Sequence, residues 1–368
     1  MNQRHLLFGA GLAALVVALS GQVTITPVAA QLRPSPQQWK PPRTPDGRPD
    51  FQAQSSGPKA WTLPRTADGQ PDFQGVWANN TITPLERPKQ FAGRATMTDA
   101  ELTLVKANAQ KLLDGGDAFF FDELFTAALE GKEKFSSTDT QTGNYDQTWL
   151  SERVFDNRTS LVIDPPDGRI PPPAPGFAER ARARAEASRG RGPADRAQDL
   201  NLTTRCVHFG TPNLTPGYQS YFAFTQSADA VVMRMEMIHD SRVIPLDGRP
   251  HLAKAITQYQ GDSRGRWEGD TLVVDTTNFS PKVNFRGSAD GLHLIEKFRR
   301  VAEDTLEYYV TVDDPTVWSR PWTVMIPLKR TGEDMFEYAC HEGNYGLPAI
   351  LRGARAQERA TGTGSQPK

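Results

Sequence analysis

The chain has 368 residues, 42 of them basic and 43 acidic, for a formal net charge of −1. That balance offers no positive field to a polyanion, so nucleic acid is excluded as an expected partner. Hydrophobic residues make up 38% of the chain, and its length suits one large domain or two ordinary ones at roughly 150 residues each.

In chain order, Arg4 and His5 precede an apolar run from Leu6 to Leu19, and Val28-Ala29-Ala30 supplies a small-residue cleavage pattern. These features predict a signal peptide over 1–30, cleaved after Ala30, because the run is too short to anchor comfortably in a bilayer. A single Arg before the run, with no Arg-Arg pair, points to general export. The expected location is periplasmic or secreted, without stable membrane insertion once the signal is removed. Residues 31–64 are rich in Pro, Gln, Arg and Ser and predict a disordered arm. The decapeptide RTPDGRPDFQ at Arg43 returns as RTADGQPDFQ at Arg65, but only the second copy runs on into Gly75-Val76-Trp77. The folded domain is therefore expected to begin between Trp61 and Gln74 and to cover 65–355 as a single β-rich unit, with a disordered tail over 356–368.

Thr98-Asp99-Ala100-Glu101 has the spacing of a capping box, and Leu102, Val105, Ala109, Leu112 and Leu113 follow at helical intervals until Gly115-Gly116. With the aromatic stretch DAFFFDELFTAALEGKEKF, this places N-terminal helices at about 97–135. RTSLVIDPPDGRIP predicts a strand entering an Asp-Gly turn. Residues 176–200 carry Arg180, Arg182, Arg184, Arg189, Arg191 and Arg196 among Gly and Pro. They form an insertion that is either a solvated helix and loop or an arginine lid.

Eight β-type runs follow: YQSYFAFTQ, AVVMRMEMIHD, AKAITQYQ, DTLVVDTTNF, LHLIEKFRRV, TLEYYVTV, WTVMIPLKR and MFEYACH. Their spacing predicts a mainly antiparallel β fold, a barrel or sandwich with a helical N-terminal segment, α+β overall. QYQGDSRGRWEGDTLVV forms one hairpin, with Trp267 at the end of the sheet. Alternation along a strand separates its two faces. In the second run Val231, Met233, Met235, Met237 and His239 share one face, opposite Val232, Arg234, Glu236, Ile238 and Asp240. In TLEYYVTVDD, Leu306, Tyr308, Val310 and Val312 oppose Glu307, Tyr309, Thr311 and Asp313.

Met233, Met235 and Met237 suit the adaptable lining of an apolar ligand cavity, and Arg242 and Asn344 are added as ligand-binding candidates. Two constellations are candidates for acid–base chemistry. The first joins Glu236, His239 and Asp240 to Arg242, with a carboxylate to orient the imidazole and Arg to hold an anionic or carbonyl group. The second is CHEGNYG, which puts His341, Glu342 and Tyr345 beside Cys340. Cys206 and Cys340 are the two cysteines, expected to pair in an oxidising compartment, with two separate buried thiols as the alternative. Asp262, Glu268 and Asp270 lack the spacing of a calcium loop, and no two histidines stand at zinc-ligand spacing, so no metal is expected. Serine-hydrolase, phosphate-loop and dinucleotide motifs are also missing, and no cofactor is expected.

PDFQGVWANNTITPLERP, HDSRVIPLDGRPH, GDSRGRWEGDTLVVDTTNF and YACHEGNYG resemble a large family of exported bacterial hypothetical proteins, over most of 65–355. That resemblance implies no activity. Gly75-Val76-Trp77 is similar to the Gly-x-Trp signature of lipocalin-type barrels, which implies a ligand-holding cup. The expected function is binding of a small apolar or aromatic molecule. The alternatives are a cofactor-free lyase, isomerase or hydrolase on the same scaffold, and an envelope module that engages a protein through its arm and its Arg-rich insertion.

Overall fold

A computed structural model describes residues 61–114, 123–132, 153–187, 192, 194–214 and 220–362. The expected signal peptide, the arm up to residue 60 and the last six residues of the tail lie outside them. Among the described residues ten strands form one antiparallel sheet. They are β1 (Gly75–Ala78), β2 (Val162–Asp164), β3 (Tyr221–Gln226), β4 (Ala230–Met235), β5 (Ser241–Pro245), β6 (Asp262–Glu268), β7 (Thr271–Thr277), β8 (His293–Ala302), β9 (Thr305–Asp313) and β10 (Trp322–Thr331). Their order is β5-β4-β3-β1-β10-β9-β8-β7-β6. Two meanders, β3 to β5 and β6 to β10, are thus joined by β1, which pairs with β3 on one side and with Lys329 to Thr331 of β10 on the other. β2 takes the other end of β10, with Val162 opposite Val324.

The predicted hairpin is β6 and β7, closing with Glu268 opposite Thr271 around Gly269, whose φ of +58° suits glycine. β8 alternates most regularly, with Leu294, Glu296, Phe298 and Arg300 buried on one face. The same face of the whole sheet is the main core, where Phe298 stacks on Tyr308 at 4.5 Å and meets Phe224 edge-on at 5.3 Å. The Gly-x-Trp tripeptide lies on β1: Trp77 is fully buried, its Nε1–H donates to the Phe73 carbonyl at 2.8 Å, and the Arg300 guanidinium covers its ring at 5.3 Å. Trp267 meets Phe73 at 5.3 Å, near this end of the sheet as expected.

The sheet does not close into a barrel, for no ladder joins β5 to β6. The two end strands still pack together, and a side chain at Gly265 would sit 2.7 Å from Ile244 Cγ2 and Leu246 Cδ2. Two expected strands are not made. AKAITQYQ is a largely exposed loop held by the Gln258 amide on the Asn278 carbonyl, with His251 on Asp262 just ahead of it. MFEYACH has no partner strand, and its Phe336 amide donates instead to Glu236 Oε2 at 3.0 Å.

Four helices stand among the described residues: α1 (Asp99–Asp114), α2 (Glu123–Leu129), α3 (Phe177–Ala187) and α4 (Gly346–Thr361). Both bonds of the capping box start α1, the Glu101 amide to Thr98 Oγ1 and the Thr98 amide to Glu101 Oε2. Leu102, Val105, Ala109 and Leu112 then pack with α2 in a second, smaller core. α3 carries Arg180, Arg182 and Arg184 on an exposed surface, with Arg180 on the Thr316 carbonyl and Arg184 on the Gly287 carbonyl, and Arg189 and Arg191 lie outside the described residues.

Candidate functional site

β4 and its exit loop position most of the predicted residues. Val231, Met233 and Met235 point into the core and Arg234 points out, as alternation requires. The strand ends at Met235. The next residues form a short turn in which Ile238 and His239 both take left-handed backbone, at φ +56° and +46°. This conformation is costly for non-glycine residues and worst for a β-branched one. It breaks the period, so His239 does not continue the methionine face. Its ring is exposed and donates Nδ1–H to the Tyr338 carbonyl at 3.0 Å. Met237 is buried in the turn.

Asp240 is therefore not the partner of His239. Its Oδ2 accepts the Nδ1–H of His208 at 2.9 Å and the Phe209 amide at 2.9 Å, while Gln260 Nε2 lies 3.4 Å from Oδ1. His208 is 2% exposed, and its Nε2 is buried with no partner among the described residues.

Below Asp240 a small interior cavity lies between residues 210–213 and the sheet, walled by Met233 and Met235. Its floor is a charged cluster. Arg242 grips Glu296 in a bidentate pair at 2.5 and 2.9 Å, Tyr308 Oη donates to Glu296 Oε1 at 2.6 Å, and Arg242 also reaches Met233 Sδ at 3.6 Å. Glu296 is fully buried and Arg242 nearly so. Burial works against the Arg242 charge, but Glu296 outweighs it and raises the Arg242 pKa. Burial, reinforced by Glu296, pushes the Tyr308 phenol far above its ordinary value. The free space is about 10 Å³, room for the centre of one water.

A second, open cavity of about 520 Å³ lies beside the Cys206–Cys340 disulfide, whose sulfurs are bonded at 2.02 Å. Thr203, Thr204, Tyr338, Leu347 and Ile350 line it, together with Asn344. Asn344 Nδ2 reaches the Thr204 carbonyl and Cys206 Sγ, each at 3.2 Å, and its Oδ1 accepts the Leu347 amide at the start of α4.

The structure thus divides the predicted residues. Met233, Met235, Asp240 and Arg242 meet in the interior, and Asn344 stands in the groove. Glu236 is buried and holds the Phe336 amide, with burial raising its pKa. His239 and His341 line neither cavity, and His341, Glu342 and Tyr345 are exposed. Sequence reasoning missed His208, Gln260, Glu296 and Tyr308 as members of the site. One signal was present: Glu296 is a carboxylate between Leu294 and Phe298 on one file of β8.

No protein-family model, curated protein or solved structure matches this chain.

Proposed function

We propose that this protein, exported by way of the 1–30 signal sequence, binds a small apolar or aromatic molecule in the groove beside the disulfide. One observation carries the reading. The groove's volume of about 520 Å³ falls within the range of roughly 300–1,000 Å³ typical of small-molecule sites. Tyr338, Leu347 and Ile350 give it apolar walls. Phe336, Tyr345 and Ile350, all exposed large hydrophobics, belong to the same C-terminal stretch, and apolar surface left in one region marks a binding place. The packing of β5 against β6 supports a barrel-like curl of the sheet. The interior is too small, as it stands, for such a ligand.

The test is a fluorescence titration with 1-anilinonaphthalene-8-sulfonate. Ile350→Glu puts an acid on the groove wall and is expected to weaken binding about tenfold or more, with an unchanged far-UV spectrum. Unaltered affinity in that variant removes the groove as the site.

The His208–Asp240 contact favours a second reading, acid–base chemistry with His208 taking the role expected of His239. An imidazole held at Nδ1 by a carboxylate presents Nε2 as a base. Under this reading His208→Ala abolishes turnover of a substrate, whereas a binder keeps its affinity in that variant.

A further inference from the structure

The disulfide separates two things that the chain could otherwise let go. On one side Cys206 and Cys340 form part of the open groove. On the other side Cys206 begins the segment that roofs the interior: residues 210–213 line that cavity, and Phe209 and Leu214 pack into the main core. Between Phe209 and Leu214 this roof belongs to no strand or helix. Its anchors include the disulfide, the two bonds to Asp240 Oδ2, the Val207 amide on the Leu202 carbonyl and the Thr203 hydroxyl donating to the His208 carbonyl. Cys206 also holds left-handed backbone at φ +55°, a conformation that costs a non-glycine residue roughly 1–2 kcal/mol.

We propose that the Cys206–Cys340 disulfide is a site of thiol–disulfide exchange with an external dithiol, and that its reduction releases residues 207–214 as a cap from over the Met233, Met235 and Arg242 interior. The two sulfurs are not equivalent. Cys206 is 6% exposed, whereas Cys340 is only partly buried. An incoming thiolate therefore meets Cys340 Sγ, forms a mixed disulfide there and expels Cys206 as a thiolate. The Asn344 Nδ2–H, 3.2 Å from Cys206 Sγ, is placed to stabilise the charge on that leaving sulfur. The second thiol of the reagent then attacks its own sulfur in the mixed disulfide and displaces Cys340. The reagent leaves as a disulfide, its two electrons stay with the protein, and its two protons pass to Cys206 and Cys340. This inference does not rest on ligand binding in the groove.

The experiment uses the full chain under native conditions. Brief treatment with glutathione, quenched with an alkylating reagent, is mapped by mass spectrometry. The expected adduct sits on Cys340 with Cys206 alkylated, and an adduct on Cys206 overturns the assignment. Asn344→Ala is expected to slow reduction by dithiothreitol about tenfold, and an unchanged or faster rate overturns the leaving-group role. Peroxide footprinting before and after reduction reads the cap. Oxidation of Met233 and Met235 should rise about tenfold or more on reduction, while Met325, buried in a separate cluster, stays protected. Continued protection of Met233 and Met235 sinks the gate. So does an equal rise at Met325, because the disulfide would then hold the whole fold rather than a cap.

Discussion

At the scale of single residues the interior charges carry the sharpest consequences. Arg242, Glu296 and Tyr308 satisfy one another in a space with room for about one water, so removing one member leaves the others stranded. Arg242→Met is expected to cost about 3–5 kcal/mol in denaturant unfolding, because it leaves the Glu296 charge buried and unpaired. Replacing the cluster together, with Glu296→Leu and Tyr308→Phe added, should recover most of that loss. A single variant as stable as the parent would show that Glu296 finds another partner. On the opposite face, Asp275 Oδ1 lies 3.0 Å from His293 Nε2 and 3.1 Å from His251 Nε2, and His251 Nδ1 meets Asp262 at 2.9 Å. Burial raises the Asp275 pKa, but the hydrogen bonds from the two histidines outweigh it and bring the carboxyl below its ordinary range. The Asp275 bond lifts the His293 pKa against burial, with Asp313 adding to the rise. The His293 contribution is complete below its unfolded value of ~6.5 and is lost as pH rises through the raised folded value. The Asp275 contribution is present above ~3.9 and is lost as pH falls through the lowered one. The gap in melting temperature between parent and His293→Phe should therefore be widest between these limits and narrow by pH 9. A gap independent of pH would mean that packing alone is at work.

At the scale of elements, the local patterns that need no distant partner were legible. Thr98 and Glu101 announced the start of α1, and the hairpin of β6 and β7 formed where Gly269 permits its turn. The two failures have one cause. AKAITQYQ and MFEYACH alternate as strands do, but a strand also needs a free edge, and neither segment reaches one. β5 and β6 show how edges are used up in this sheet: they face each other without pairing, over a glycine that leaves no room. Gly265→Ala should cost about 1–3 kcal/mol by overpacking against Ile244 and Leu246. Gly269→Asn meets no neighbour and keeps a residue that tolerates left-handed backbone, so its change should stay within ~0.5 kcal/mol. Equal losses in the two variants, measured by urea unfolding, would contradict the close approach of β5 and β6.

At the scale of the whole molecule, export is the expectation that the chain's first thirty residues carry. Expressed with its leader, the protein should be recovered from outside the cytoplasm with Gln31 as its first residue, by intact mass. A product that retains Met1 would overturn it. The disulfide agrees with an oxidising compartment. By itself the sequence determined the antiparallel β character, the alternation along the strands, the capped helix and a pair of cysteines expected to form a disulfide. These follow from backbone sterics and side-chain alternation, which act over a few residues. Only the tertiary structure decided that Asp240 takes His208, 32 positions away, rather than adjacent His239, and that Arg242 takes Glu296, 54 positions away. Those pairings depend on two left-handed residues that end a strand and on the curl that brings β5 across to β8, and neither is encoded in a repeating pattern.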